Sequence, residues 1–350
     1  MKVIKYFLIV FSGLLFLKCT NENAIEPLPL YLNDVSPKNA CFGQQVKLFG
    51  QGFGSSQDSS FVLFDTIKIQ ATQCDIWTNA SISFIAPKQE GVVRIRVVVN
   101  GDTSNSKSIN IERYPSIEFV EVPAGSFLIG SVNGFENERP TRQIFISKPF
   151  FISKYEISIL NYSMLVTGTY PIVENPGLPA SGISWLDAIK FCNSLSLSEG
   201  FGQCYKISND TVLWDTSANG FRLPTEAEWE YACRAGSKSS YSGNGVLDDM
   251  GWYSANSGHK IHPSGKKQAN SRGIYDMHGN LWEWCWDYFY ENYYQFIDEY
   301  DPKGPADGDI HCLRGGAYDC GEVYARSANR TYQGGFDNKN VGIRLVRNKP

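Results

Sequence analysis

The first residues are patterned unlike anything that follows. Lys2 and Lys5 precede a nearly unbroken apolar run over residues 6–17. A membrane-crossing helix needs about 20 such residues, so the run reads as the hydrophobic region of a signal peptide, residues 1–18, and is set apart from the fold. Between residues 27 and 113 the apolar positions fall into short, β-branched clusters at 45–49, 61–64, 66–69, 81–85 and 92–99, separated by Gly, Ser, Asn and Asp. This predicts the strands of a small all-β sandwich. No 3.6-residue period occurs in the stretch, so no helix is expected there.

Pro115, within residues 112–116, marks a boundary, and beyond it the pattern changes. Residues 119–127 alternate, turn at Ala124-Gly125 and lead on to Ile129, which predicts an opening β-hairpin. Ser184 precedes Trp185, Ala188, Ile189, Cys192 and Leu195, spaced along one helical face, with Ser184 as N-cap and Asp187 in the first turn. Thr225 and Glu228 form a capping-box pair, which starts a second helix at Glu226.

The length, 350 residues, suits two domains after the targeting segment is removed. The net charge is −4 and no Lys/Arg cluster stands out, which argues against a nucleic-acid partner. Aromatic residues make up 14%, enough for a large core or for a surface that stacks on ligands. The stretch from Trp282 to Tyr300 holds ten of them, among Asp287, Glu291, Asp298 and Glu299; it reads either as the rim of a groove or as a packed loop. Eight cysteines follow Cys19. An even number in an exported chain predicts disulfides, with Cys41–Cys74 the simplest pair. Cys192 either closes a local loop with Cys204 or lies buried in its helix. His259 and His262 sit among Lys260, Lys266 and Lys267 with no further soft ligand, which does not make a zinc site. No phosphate-binding glycine loop is present.

Three resemblances add to this reading. Cys19, just after the apolar run, resembles the lipidated cysteine of bacterial lipoprotein signals, although Phe16, Leu17 and Lys18 stand where such signals carry small residues. It implies a lipid anchor at Cys19 and a linker over residues 19–26. Val35-Ser36-Pro37, Gly43, residues 48–54 and Ile85-Ala86-Pro87 resemble an IPT/TIG domain, an immunoglobulin-like module, over residues 27–113. The blocks Arg222-Leu223-Pro224-Thr225-Glu226-Ala227-Glu228-Trp229, Gly279-Asn280-Leu281-Trp282-Glu283-Trp284, Arg314-Gly315-Gly316 and Gly342-Ile343-Arg344 resemble the sulfatase-modifying factor (formylglycine-generating enzyme) family over residues 117–348. That likeness implies a C-type-lectin-like α/β fold with much irregular structure.

It also implies a calcium site made by the side chains of Asp276 and Glu283 and the carbonyls of Gly279 and Leu281, a reasonable set of oxygen donors for a hard cation. The other reading of these residues is that Asp276 caps the turn while Glu283 pairs with an arginine. Of a second calcium site only Asn256 remains, its acidic part replaced by Lys266-Lys267-Gln268. The family's enzymes hold copper(I) with two cysteines, soft ligands suited to that ion. Cys320 matches one of them, residues 321–325 contain no second, and Ala317 replaces the usual serine.

The expectation is therefore an exported, lipid-anchored cell-envelope protein, on the outer membrane or cell surface, or periplasmic or secreted if Cys19 is not processed. Its C-terminal domain serves as a noncatalytic binding or scaffold module for a protein or glycan ligand. The alternative is an oxidase that converts a sulfatase cysteine to formylglycine with Cys320 as a copper ligand.

Overall fold

The computed structural model describes residues 28–55, 59–208, 211–333 and 338–349. The segment expected to be a signal peptide, Cys19 and the expected linker lie outside the described residues. The described chain divides into two compact units. One draws on the segments up to Lys38, Gln45–Ile85 and Val92–Ile109, and the other takes in Asn39–Gln44, Ala86–Gly91 and the chain from Asn110 onward.

The N-terminal strands form two sheets. One has the order Tyr31–Ser36, Gln45–Gln51, Ser81–Ile85, Ile76–Trp77, and the other the order Asn39–Cys41, Lys107–Glu112, Gly91–Val99, Phe61–Phe64, Ile67–Gln70. Alternate residues point inward: Val46 and Leu48, Val62 and Phe64, Ile82 and Phe84, and Ile95 and Val97 are buried, as the two-residue strand period requires. This is the expected sandwich. Gly43, Gly52 and Gly54 all have positive φ, the conformation that makes glycine necessary at such turns.

The predicted Cys41–Cys74 disulfide does not form, and all eight described cysteines are free thiols. Cys41 ends the strand at one edge of the second sheet, whereas Cys74 follows the strand at the opposite edge, with three strands between. At about 4.8 Å per strand that separation is near 19 Å, far beyond the roughly 7 Å limit between bridged Cα atoms. Cys192 and Cys204 both lie in one buried cluster and remain unbridged.

The C-terminal unit has few helices and long irregular stretches. Its helices are α1 (Ile159–Val166), α2 (Trp185–Ser198), α3 (Glu226–Arg234) and the single turn α4 (Leu247–Met250). Both sequence-predicted helices start where expected: Ser184 caps α2 and Thr225 caps α3 with its capping box complete. The predicted opening hairpin does not form. Phe119–Val122 pairs with Phe150–Ser153, while Gly125–Ile129 pairs with Arg142–Ile146, so the two arms enter different sheets. The alternation identified both strands, but the bend at Pro123-Ala124 only redirects the chain, and each arm finds its partner downstream. A four-stranded sheet, ordered Arg330–Tyr332, His311–Arg314, Trp282–Tyr288, Val341–Gly342, packs against α3.

Candidate functional site

Helix α3 supplies the buried framework. Spacing of four puts Glu226 and Glu230 on one face of the helix. Glu226 accepts from Arg330 at 2.6 and 2.8 Å, and Glu230 accepts from Arg234 at 2.7 Å and from Arg314. Burial alone would raise the Glu226 carboxyl, but Arg330 and Arg314 outweigh it and hold the group below its ordinary value. Glu228, on another side, receives both arms of Arg222 at 2.6 and 2.7 Å and also closes the capping box.

The segment expected to hold calcium lies beside this framework. Asp276 and Asn280 both have positive φ and are buried on either side of Gly279. Asp276 Oδ2 accepts from the Gly265 amide at 2.6 Å, while its Oδ1 is buried with no partner. Burial, followed by the nearby Glu283 charge, leaves the Asp276 carboxyl raised to about 6. Glu283 is fully engaged: Arg344 donates to it at 2.8 and 2.9 Å, and the Trp229 indole at 2.6 Å. The arginine-paired alternative is thus the geometry seen at Glu283.

Glu156, which no motif marked, completes the group. It accepts from the Leu281 amide at 3.1 Å, Asn280 Nδ2 at 2.8 Å and Ser264 Oγ at 2.9 Å. Burial and the neighbouring Asp276 and Glu283 push its carboxyl well up. Only the unpartnered Asp276 oxygen offers a free side-chain donor, because Glu283 and Glu156 are already satisfied. Of the side chains in the set Asp276, Gly279, Leu281 and Glu283, Asp276 thus offers one unpartnered oxygen toward the six to eight that a calcium ion takes. Asn256, the remnant of the second site, makes a turn, accepting from the Tyr253 amide and donating to the Gly251 carbonyl.

Cys320 is half-buried, beside Trp282. Its thiol points at Asp319 Oδ1, 3.6 Å away, and burial, reinforced by Asp319, pushes its pKa up to about 11. Cys285 and Cys312 are fully buried in the core cluster around Trp229 and Ile274, whereas Cys320 packs at the margin of the cluster around Leu223 and Leu345. Cys233 lies against His278, 3.8 Å from Nε2. The family's enzymes hold copper(I) with two thiolates, whereas Cys320 is one thiol, with Cys285 and Cys312 in a different core cluster.

The aromatic run divides between core and surface. Trp284, Phe289, Tyr293 and Tyr294 are buried, while Phe296 and Tyr300 are more than half exposed. Trp286 and Tyr288 join Trp185 and His311 in a stack, with the His311 ring 3.6 Å from Trp185 and 4.4 Å from Tyr288, centroid to centroid. His262 stacks on Trp252 at 3.8 Å, and its Nε2 donates to the Ser257 carbonyl at 2.7 Å. It serves that turn.

Residues 107–349 match the profile of the sulfatase-modifying factor enzyme 1-like domain, and residues 30–112 match that of the IPT/TIG domain. Chaperone protein LppX of Paenibacillus barcinonensis is 32% identical over 240 residues, covering 57% of this chain and 80% of that one. A formylglycine-generating enzyme of Streptomyces coelicolor is 37% identical over 143 residues, covering 35% of this chain and 45% of its own. Among solved structures, Treponema denticola variable protein 1 aligns with a TM-score of 0.59 and 26% identity, over 73% of this chain and 98% of that one. PvdO from Pseudomonas aeruginosa aligns with a TM-score of 0.54 at 24% identity, over 66% of this chain and 94% of its own, a likeness of fold. With its motif blocks in family order and well over half of its length matched, the chain belongs to the sulfatase-modifying factor enzyme 1-like family, with an IPT/TIG domain in front.

Proposed function

We propose that the protein is a noncatalytic binding or scaffold module of the cell envelope, exported by residues 1–18 and anchored through Cys19. The supporting observation is the environment of Cys320: one half-buried thiol beside Asp319, with Cys285 and Cys312 in a different core cluster. The relative named chaperone protein LppX agrees with a domain that holds another protein without altering it. The partner is a protein or glycan ligand.

The alternative, formylglycine formation in a sulfatase peptide, requires copper(I) and oxygen at Cys320. The purified chain and a Cys320→Ser variant are titrated with copper(I) and then incubated with a Cys-x-Pro-x-Arg peptide under oxygen. No Cys320-dependent copper binding and no loss of the peptide thiol by mass spectrometry is the outcome expected. Oxidation that disappears in Cys320→Ser would establish the oxidase instead.

A further inference from the structure

A groove of about 590 Å³ opens between the strand Gly125–Ile129 and the C-terminal end of α3. Its wall brings together Arg234, Lys238, Arg272 and Arg326, and no Asp or Glu is among the residues lining it. Two of these cations are already paired: Arg234 with Glu230 at 2.7 Å, and Arg326 with Glu138 at 2.6 Å. Arg272 donates to the Tyr231 carbonyl at 2.8 Å and lies over the Tyr231 ring at 4.3 Å, but meets no carboxylate among the described residues. Lys238 is exposed and forms no ion pair among the described residues. The groove therefore carries positive charge that nothing within it balances.

The same groove is bordered by an unused sheet edge. Gly125–Ile129 and Arg142–Ile146 make a two-stranded sheet. The outer edge of Arg142–Ile146 is taken, because Phe145 donates to the Glu299 carbonyl at 2.7 Å and accepts from the Asp301 amide at 3.0 Å. On the other strand Ser126, Phe127 and Leu128 line the groove, and that strand pairs with no further strand on its far side among the described residues. An open strand edge is a template for another extended chain. Beside uncompensated cations, the chain it suits is acidic.

We propose that this groove binds an extended acidic peptide segment, which adds as a third strand along Gly125–Ile129 while its carboxylates meet Lys238 and Arg272. The proposal rests on the reading of the domain as a binding module and names its partner class. The flanking serines, Ser237, Ser239 and Ser240, supply further donors for the carboxylates.

The test is fluorescence anisotropy on the full chain with a labelled, end-blocked hexapeptide of alternating Asp and Val, which contains no cysteine. Saturable binding is expected, weakened by added salt. It should fall about tenfold or more, roughly 1.4 kcal/mol, in Lys238→Glu, a change at an exposed position that leaves the fold in place. The Asn/Val analogue should bind as weakly as that variant. A peptide N-methylated at alternate amides, with its charge unchanged, should lose binding, because strand addition needs those donors. Equal binding by the Lys238→Glu variant or by the N-methylated peptide overturns the proposal. So does a sulfated oligosaccharide that binds more tightly with the same dependence on Lys238. No binding of the acidic peptide, with the Cys-x-Pro-x-Arg peptide left unoxidised, removes the groove assignment alone; oxidation of that second peptide removes the module reading, whatever the first one does.

Discussion

Arg314, Arg330 and Arg344 are wholly buried, and a guanidinium removed from water is tolerable only where carboxylates and carbonyls replace the lost solvent. Arg344 shows how fully this is done, with both Glu283 oxygens and the carbonyls of Ser153 and Tyr275 around it. Arg344→Met should destabilise the C-terminal unit by about 3–5 kcal/mol, because Glu283 would remain as a buried, unpaired charge; urea unfolding measures the loss. His311 responds in the opposite way to added charge. Burial between Trp185 and Tyr288 lowers its pKa from 6.5 to about 4, against the raising effect of its bond to the Trp286 carbonyl. The folded state thus favours neutral imidazole, so the stability contribution is complete above pH 6.5 and is lost as pH falls from 6.5 towards 4. In His311→Gln the urea midpoint should fall less steeply over that interval than in the parent protein.

At the scale of elements, what could be read from sequence was what depends on near neighbours. Both helix starts followed from a cap and a face, since Ser184 and Thr225 bond to amides three residues away. Thr225→Ala should cost about 1 kcal/mol, seen as a lower melting temperature by circular dichroism, while Arg222 keeps Glu228 in place. Strand positions were legible as well, from alternation. Strand partners were not, and the failed hairpin at residues 119–129 shows why: hydrophobic alternation sets which face is buried but says nothing about which edge is met. The same limit undid the Cys41–Cys74 pairing, where sequence proximity stood in for sheet order.

On the scale of the whole molecule, the chain falls into two compact units, the second of which takes in Asn110 onward together with two short segments from within the sandwich. The anchoring expectation belongs here too. Cys19→Ser should shift the protein from the membrane fraction to the soluble fraction after cell lysis, measured by immunoblot; unchanged partitioning would refute lipidation at Cys19. Copper and calcium chemistry was suggested by motif position, yet positions alone could not tell which partners Glu283 and Cys320 meet.

The amino-acid sequence by itself determined the sandwich and the irregular domain that follows it, the two helix caps, and the family blocks, because each depends on residues a few positions apart. Tertiary structure alone decided the rest. It brought Glu156 to Leu281 across 125 positions and Arg344 to Glu283 across 61, and it gathered Arg234, Lys238, Arg272 and Arg326 in the wall of one groove. Partners so distant in the chain are chosen by the cost of leaving a buried charge or a strand edge unmatched, and that cost exists only once the chain has folded.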